Sequence, residues 1–201
     1  MGLTTIDERV RELIAAGDAA TATSLVLREL GAEVLGFLTT ALGNPDDADE
    51  VFSILSEALW KSLRGFEGRC SVRTWTYVLA RHEIGRYRRG VRRHQHGRVP
   101  ISDLVEVLEA ARTKTRSTFG TQRRDRLARL RDELSVEDRT LLILRVDRDL
   151  AWDDIALAFA DGLHAMGDDV RKREAARLRK RFQLIKQRLL VSARAADAIP
   201  E

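Results

Sequence analysis

Hydrophobic positions recur at helical spacing along the whole chain, and no strand-like alternation persists. Thr5 and Glu8 stand in the pattern of a capping box, which predicts a first helix that ends near Gly17. A second helix follows, in which leucines and Val34 recur as far as Leu42. Because only three prolines interrupt the chain, the pattern predicts an all-α fold.

The segment GNPDDADEVFSILSEALW (43–60) predicts an amphipathic helix. Asn44 is a favoured N-cap and Pro45 suits the first helical position, so the helix is expected to begin here. At about 100° per residue, the apolar side chains from Ala48 to Leu59 share one face. The opposite face carries the residues that we call the acidic ridge: Asp46, Glu50, Ser53 and Glu57.

The segment 75–93 begins as a core helix and ends as an arginine cluster. Apolar stripes cover two sides of its first half, but only the stripe that contains Tyr77 and Tyr87 continues into the second half. A glycine-bearing loop, RGFEGRCSVR (64–73), precedes the segment. We therefore expect a helix that is buried in a bundle at its start and presents its arginines at its end.

The C-terminal part predicts shorter helices followed by a long basic one. Ser135 with Asp138 is expected to cap a helix over VEDRTLLILRV, and WDDIALAF predicts another. After a turn at about 160–169, longer than the usual three or four residues, a helix is expected at roughly 170–192. This helix has a basic face opposite its apolar seam, a pattern typical of a helix-turn-helix that reads the major groove. The seam consists of Leu178, Phe182, Ile185 and Leu189.

Residues 94–121 contain few large apolar side chains and predict a linker. The sequence therefore predicts two small helical domains joined by this linker. Residues 1–93 would form a helix bundle, and residues 122–201 would form a helix-turn-helix domain.

Charge is segregated along the chain, although the net charge is only +4. Residues 1–70 and 132–169 are predominantly acidic, whereas residues 81–98 and 171–188 are strongly basic. Two basic blocks, each beside an acidic one, indicate two contacts with a polyanion and separate surfaces for protein. Simple solvated helix faces, the alternative, would usually mix the two signs.

Patterns typical of catalysis or metal binding are weak. His94 and His96 have no further ligand at suitable spacing, and Cys70 lacks a persuasive histidine partner. We expect no enzyme activity, no metal site and no cofactor. The single cysteine, the lack of a long apolar run and an N-terminus without signal-peptide character favour a cytoplasmic protein that does not insert into membranes.

The order of these parts resembles a known family. Residues 43–89 resemble region 2 of extracytoplasmic-function (ECF) sigma factors. In that family, an acidic helix that ends near a tryptophan is followed by an F-x-G loop. A second helix then begins with tryptophan and continues into arginines. Residues 127–160 resemble the start of region 4, and the last helix stands where that family keeps its recognition helix. The sequence departs from the usual residues at Ser53, Ser56, His82 and Ala151.

The resemblance implies a dissociable subunit of bacterial RNA polymerase that recognises promoter DNA and promotes its opening. The acidic ridge would dock on core RNA polymerase, and an anti-sigma factor is left open as a further partner. Region 2 would hold the unpaired −10 strand through Arg69, Arg73, His82, Arg86, Tyr87, Arg88 and Arg89. Region 4 would contact the −35 element through Arg173, Arg177, Lys180 and Arg181.

Two other functions remain open from the sequence alone. The chain could be a helix-turn-helix regulator that binds duplex DNA without polymerase, with its N-terminal domain serving dimerisation or sensing. It could also be a degenerate sigma-like adaptor that binds polymerase or a regulator and contacts little DNA.

Overall fold

The computed structural model describes residues 5–90, 130–160 and 166–197, and all regular elements in these ranges are helical. The predicted all-α fold is thus confirmed. The described residues fall into two compact units, one containing residues 5–90 and the other containing the rest. The predicted linker and both predicted domain limits lie outside the described residues. In the described ranges, each helix is too short or too polar to span a bilayer.

The first unit is built from helices whose starts are fixed by local capping. The Thr5 and Glu8 capping box forms as predicted, and Asn44 Oδ1 accepts a hydrogen bond from the Asp46 amide at 2.9 Å. Gly43 ends the second helix with a φ of 73°, a left-handed conformation that favours glycine. The helices of this unit are α1 (Ile6–Ala15), α2 (Ala19–Leu42), α3 (Pro45–Ser62) and α4 (Val72–Arg88), with a 3₁₀ turn at Leu63–Gly65.

The core of the first unit lies around α2, which packs against α1, α3 and α4. The rings of Phe37 and Tyr77 meet edge to face at 5.2 Å, and both side chains are fully buried. The predicted apolar face of α3 is 0% exposed from Ala48 to Leu59. This burial turns the opposite face of α3 outward.

Helix α4 begins earlier than the sequence pattern predicted. The predicted loop covered residues 64–73, but the helix starts at Val72 because Ser71 is an effective N-cap. The Ser71 hydroxyl oxygen accepts a hydrogen bond from the Thr74 amide at 3.0 Å. The loop that remains between the 3₁₀ turn and α4, residues 66–71, is called the 66–71 loop below.

The second unit contains short helices that support a long one. Ser135 caps the first of them as predicted, with the Asp138 amide donating to its hydroxyl oxygen at 3.1 Å. The long helix begins two positions before the predicted residue 170 and continues past residue 192. The elements are α5 (Val136–Leu142), a π turn (Ile143–Asp147), α6 (Trp152–Phe159) and α7 (Asp168–Asp197).

The predicted seam of α7 holds the second unit together. Leu178 and Ile185 are buried, and the Phe182 ring meets Trp152 edge to face at 5.5 Å. Helix α6 has the predicted limits, although Ala151 provides no side-chain cap. Half of the predicted turn at 160–169, residues 161–165, lies outside the described residues, and its last two residues already belong to α7.

Candidate nucleic-acid interface

The acidic ridge forms one solvent-facing side of α3. Asp46 is exposed in the first turn, and the remaining ridge residues are partly exposed along the next three turns. Glu57 pairs with Lys61 one turn later, so that carboxylate is partly neutralised in the isolated chain. Ser53 donates its hydroxyl hydrogen to the Asp49 carbonyl at 3.0 Å. The ridge therefore offers carboxylates to a partner along about three helical turns.

Tyr87 joins the far end of α4 to the start of α3. Its hydroxyl donates to Asp47 Oδ1 at 2.6 Å. This hydrogen bond, together with burial and the nearby Glu50 carboxylate, raises the pKa of Tyr87 to about 12. The Tyr87 phenol thus holds the first turn of α3, the helix that carries the acidic ridge, against α4. A direct contact of Tyr87 with DNA stays a prediction.

Replacing Tyr87 with Phe should remove this hydrogen bond and leave the ring in place. Because the folded-state pKa lies above the ordinary tyrosine value of 10, the bond stabilises the fold fully below pH 10, and this contribution is lost as pH rises through about 12. At pH 8 we expect Tyr87→Phe to lower the free energy of unfolding by about 1 kcal/mol. Urea denaturation at a series of pH values measures this difference. A difference that stays constant from pH 8 to pH 12 would contradict the assignment.

The predicted arginines come together where α4 ends. Arg88 and Arg89 are exposed in the last turn and at the C-cap. Arg86 lies half-buried, 3.7 Å from the Glu83 carboxylate. His82 is half-buried one turn earlier. The negative end of the helix dipole favours these cations, and their exposed side chains are suited to binding phosphates.

Arg73 is engaged inside the first unit. Its guanidinium donates to Glu33 on α2, with Nε at 3.0 Å, and the Tyr77 hydroxyl donates to the same carboxylate oxygen at 2.7 Å. Burial lowers the pKa of Arg73, but the hydrogen bond and charge of Glu33, together with Tyr77, outweigh burial, and the pKa lies above its usual value. Arg73 therefore connects α2 to α4, and its predicted contact with the −10 strand stays a prediction.

The 66–71 loop presents Arg69 beside the start of α4. Arg69 is exposed and pairs with the equally exposed Glu67 at 2.5 Å, an ion pair of little energetic weight. Phe66 anchors the loop because its ring packs on Trp75 with centroids 5.8 Å apart. Phe66 itself is buried and Trp75 is half-buried, so Trp75 provides the accessible part of this aromatic pair. An exposed cation on the loop that packs against such a ring suits single-stranded nucleic acid.

The outer face of α7 carries most of the predicted −35 residues. Lys180 and Arg173 are exposed, and Arg173 also donates to a backbone carbonyl of its own helix. Arg177 is 64% exposed and forms a two-pronged hydrogen bond with Glu174 at 2.9 and 2.6 Å. An exposed pair of this kind is weak enough to exchange for a phosphate.

Arg181, by contrast, connects α7 to α5. Its Nε donates to Asp138 Oδ1 at 2.6 Å. The Asp138 side chain is only 12% exposed, whereas that of Arg181 is 32% exposed. The pair fixes the rotation of α7 relative to α5, and a direct contact between Arg181 and DNA stays a prediction.

Sequence reasoning missed the carboxylates that hold these surfaces in place. Asp7, Glu33, Asp47 and Asp138 bond to residues 40 to 65 positions away, so no local pattern reports them. The only available signal was the presence of acidic residues in otherwise helical segments. The described residues contain no cluster of three or more side chains suited to a metal ion. His94 and His96, which were not expected to bind a metal, lie outside the described residues.

Comparison with known families identifies the first unit. Residues 26–94 match the family model of sigma-70 region 2. The matched segment begins within α2 and includes the acidic ridge, the 66–71 loop and the arginines of α4. Helix α1 and the second unit lie outside the match. Among curated proteins, none matches the sequence significantly.

Proposed function

We propose that the chain is a sigma factor of the ECF type, because residues 26–94 match the family model of sigma-70 region 2. It would bind core RNA polymerase, recognise −10 and −35 promoter elements and promote opening of the DNA for transcription initiation. Such a protein needs no chemistry of its own, because binding energy drives the opening.

The separation of charge within the matched domain carries the proposal. Carboxylates line the outward face of α3, whereas exposed arginines gather at the end of α4 and in the 66–71 loop. Like charges on one surface select one kind of partner, so the ridge suits a basic protein surface and the arginines suit phosphates. Binding to DNA alone would require the arginines but not an acidic surface suited to a basic protein partner.

Opening of the promoter would follow from preferential binding to unpaired DNA. Arg69, Arg88 and Arg89 would contact the backbone of the unpaired −10 strand, and the aromatic surface near Phe66 would favour a base released from the duplex. Each base stacked on an aromatic ring contributes about 1–3 kcal/mol, comparable to the cost of unstacking a base pair. Binding of this kind shifts the equilibrium towards the open strand.

The second unit supports a role for α7 in reading the −35 element. Helices α5 and α6 hold the buried side of α7, which leaves Arg173, Arg177 and Lys180 on its outer side. A long helix supported in this way can enter the major groove, where arginine and lysine read guanine and bind the flanking phosphates.

The α7 assignment predicts a change in the salt dependence of promoter binding. Arg177→Ala combined with Lys180→Ala should remove about two phosphate contacts, so log K should fall less steeply with log salt, by about two units of slope. Lys186→Ala with Arg194→Ala is the matched control, since it removes two cations nearer the C-terminal end of the same helix. Unchanged slope and unchanged −35 dependence in the first variant would place the reading surface elsewhere.

Titration of the labelled chain with core RNA polymerase and with promoter duplex tests the proposed function. The proposal predicts that the chain binds tightly to the core enzyme and weakly to free duplex. The complex of the chain with core enzyme should bind the promoter. Tight binding to free duplex without polymerase would favour the helix-turn-helix regulator instead. Binding to core enzyme without any promoter binding would favour the adaptor.

A further inference from the structure

Helix α1, which lies outside the family match, supplies a cap to α4. Asp7 Oδ1 accepts a hydrogen bond from the Val72 amide at 2.6 Å, across 65 positions of sequence. Val72 is the first residue of α4, and its amide has no acceptor within the helix. Ser71 meanwhile satisfies the Thr74 amide. Two side chains from distant parts of the chain therefore cap the same helix.

A second contact places α1 along the 66–71 loop. A Cβ atom at Gly68 would lie 3.5 Å from Cδ of Arg11, so the loop backbone passes directly beside that side chain. Arg11 is itself held by a hydrogen bond of 3.2 Å from its Nε to the Asp7 carbonyl. Gly68 has a φ of 70°, so the loop turns sharply at this contact.

The 66–71 loop therefore has a fixed point at each end. Phe66 is packed on Trp75 at one end, and the Val72 amide is held by Asp7 at the other. Arg69 lies between these points on the exposed side. Because the loop is only six residues long, fixing both ends limits the positions that the Arg69 guanidinium can reach.

We propose that Asp7 is a positioning residue for the binding of single-stranded DNA by the 66–71 loop. Asp7 would act through Val72 and would not contact the nucleic acid. This inference rests on the proposed function and extends it to α1. The ligand would be the unpaired strand of a polynucleotide. Its phosphates would bind the cation and its bases would stack on the aromatic surface, so the distance between the two must be fixed.

The folding of α4 does not depend on Asp7 alone. Ser71 provides a separate cap, and Tyr77 and Ile84 anchor the helix in the core. Loss of the Asp7 carboxylate should therefore release the loop while the helix and the acidic ridge stay in place. A positioning role and a purely structural role then predict different results for strand binding and polymerase binding.

The test compares Asp7→Ala with Asp7→Asn and with Glu12→Ala, which removes an exposed carboxylate from the same helix. Each full-length variant is bound to core RNA polymerase and titrated with a labelled non-template single strand from a promoter that the unaltered chain opens. We expect Asp7→Ala to weaken strand binding about fivefold, the effect of losing one cap. Asp7→Asn keeps an oxygen acceptor and should bind nearly as well as the unaltered chain, as should Glu12→Ala.

Affinity for core RNA polymerase and the midpoint of thermal unfolding are measured for the same variants. The proposal expects polymerase affinity to stay unchanged in all three. Strand binding by Asp7→Ala equal to that of Glu12→Ala would overturn the inference and leave the proposed function intact. Parallel losses of strand and polymerase binding would show a purely structural role and also overturn it. If the unaltered chain failed to bind both polymerase and strand, the proposed function would fail, and the inference with it.

Discussion

Reversal of charge on the acidic ridge is expected to abolish most of the affinity for core RNA polymerase. Glu50→Lys combined with Glu57→Lys would set two cations against the basic surface that the ridge is proposed to meet. Like charges brought together in an interface cost several kcal/mol, so we expect a loss of about 100-fold in affinity. A fluorescence titration of labelled chain with core enzyme measures it.

Glu29→Lys is the control for the ridge variant. Glu29 is exposed on α2 in the same unit, and its replacement changes the charge in the same sense. It should leave polymerase affinity within about twofold, since scattered surface charges contribute little. Helical circular dichroism of the ridge variant should match that of the unaltered chain. Equal affinities for the ridge variant and the control would show that α3 is not the docking surface.

Removal of the Asp138 carboxylate is expected to destabilise the second unit far more than removal of an exposed carboxylate would. Asp138→Ala leaves the Arg181 guanidinium, which reaches from α7 to α5, without its 2.6 Å partner. Breaking a fully buried ion pair costs about 3–5 kcal/mol, but Arg181 is about one-third exposed, so we expect about 2 kcal/mol. Hydrogen exchange of α5 and α7 amides measures the loss in that unit separately from the first.

Two further variants separate the ion pair from general effects of charge. Asp138→Asn retains an oxygen acceptor and should lose less stability than Asp138→Ala. Glu133→Ala removes an exposed carboxylate from the same unit and should change stability by less than about 0.5 kcal/mol. If Asp138→Ala were as stable as Glu133→Ala, the contact with Arg181 would not be what fixes α7.

The helices were predictable because their start signals are local. The Thr5 capping box, Asn44 before Pro45 and the Ser135 cap each place a donor and an acceptor within three residues. The buried face of α3 follows in the same way from the helical repeat. The start of α4 was missed because the apolar pattern begins at Trp75, three residues after the helix has begun at Val72.

The roles of individual charged residues were less predictable. Sequence alone grouped Arg73 and Arg181 with the other cations, whereas the structure gives each a carboxylate partner 40 or more positions away. Tyr87 likewise gains Asp47 only through the packing of α4 on α3. Charge patterns report which segments are basic, but tertiary contacts decide which cations remain exposed to a ligand.

Transcription from purified components shows whether the chain acts as a sigma factor. Core RNA polymerase is incubated with the chain and a pool of genome-derived templates, and the start sites of the transcripts are mapped. We expect transcripts that begin at a defined subset of sites, require the chain and disappear with the double ridge variant. Transcripts that are the same with and without the chain would contradict the proposal that it is a sigma factor.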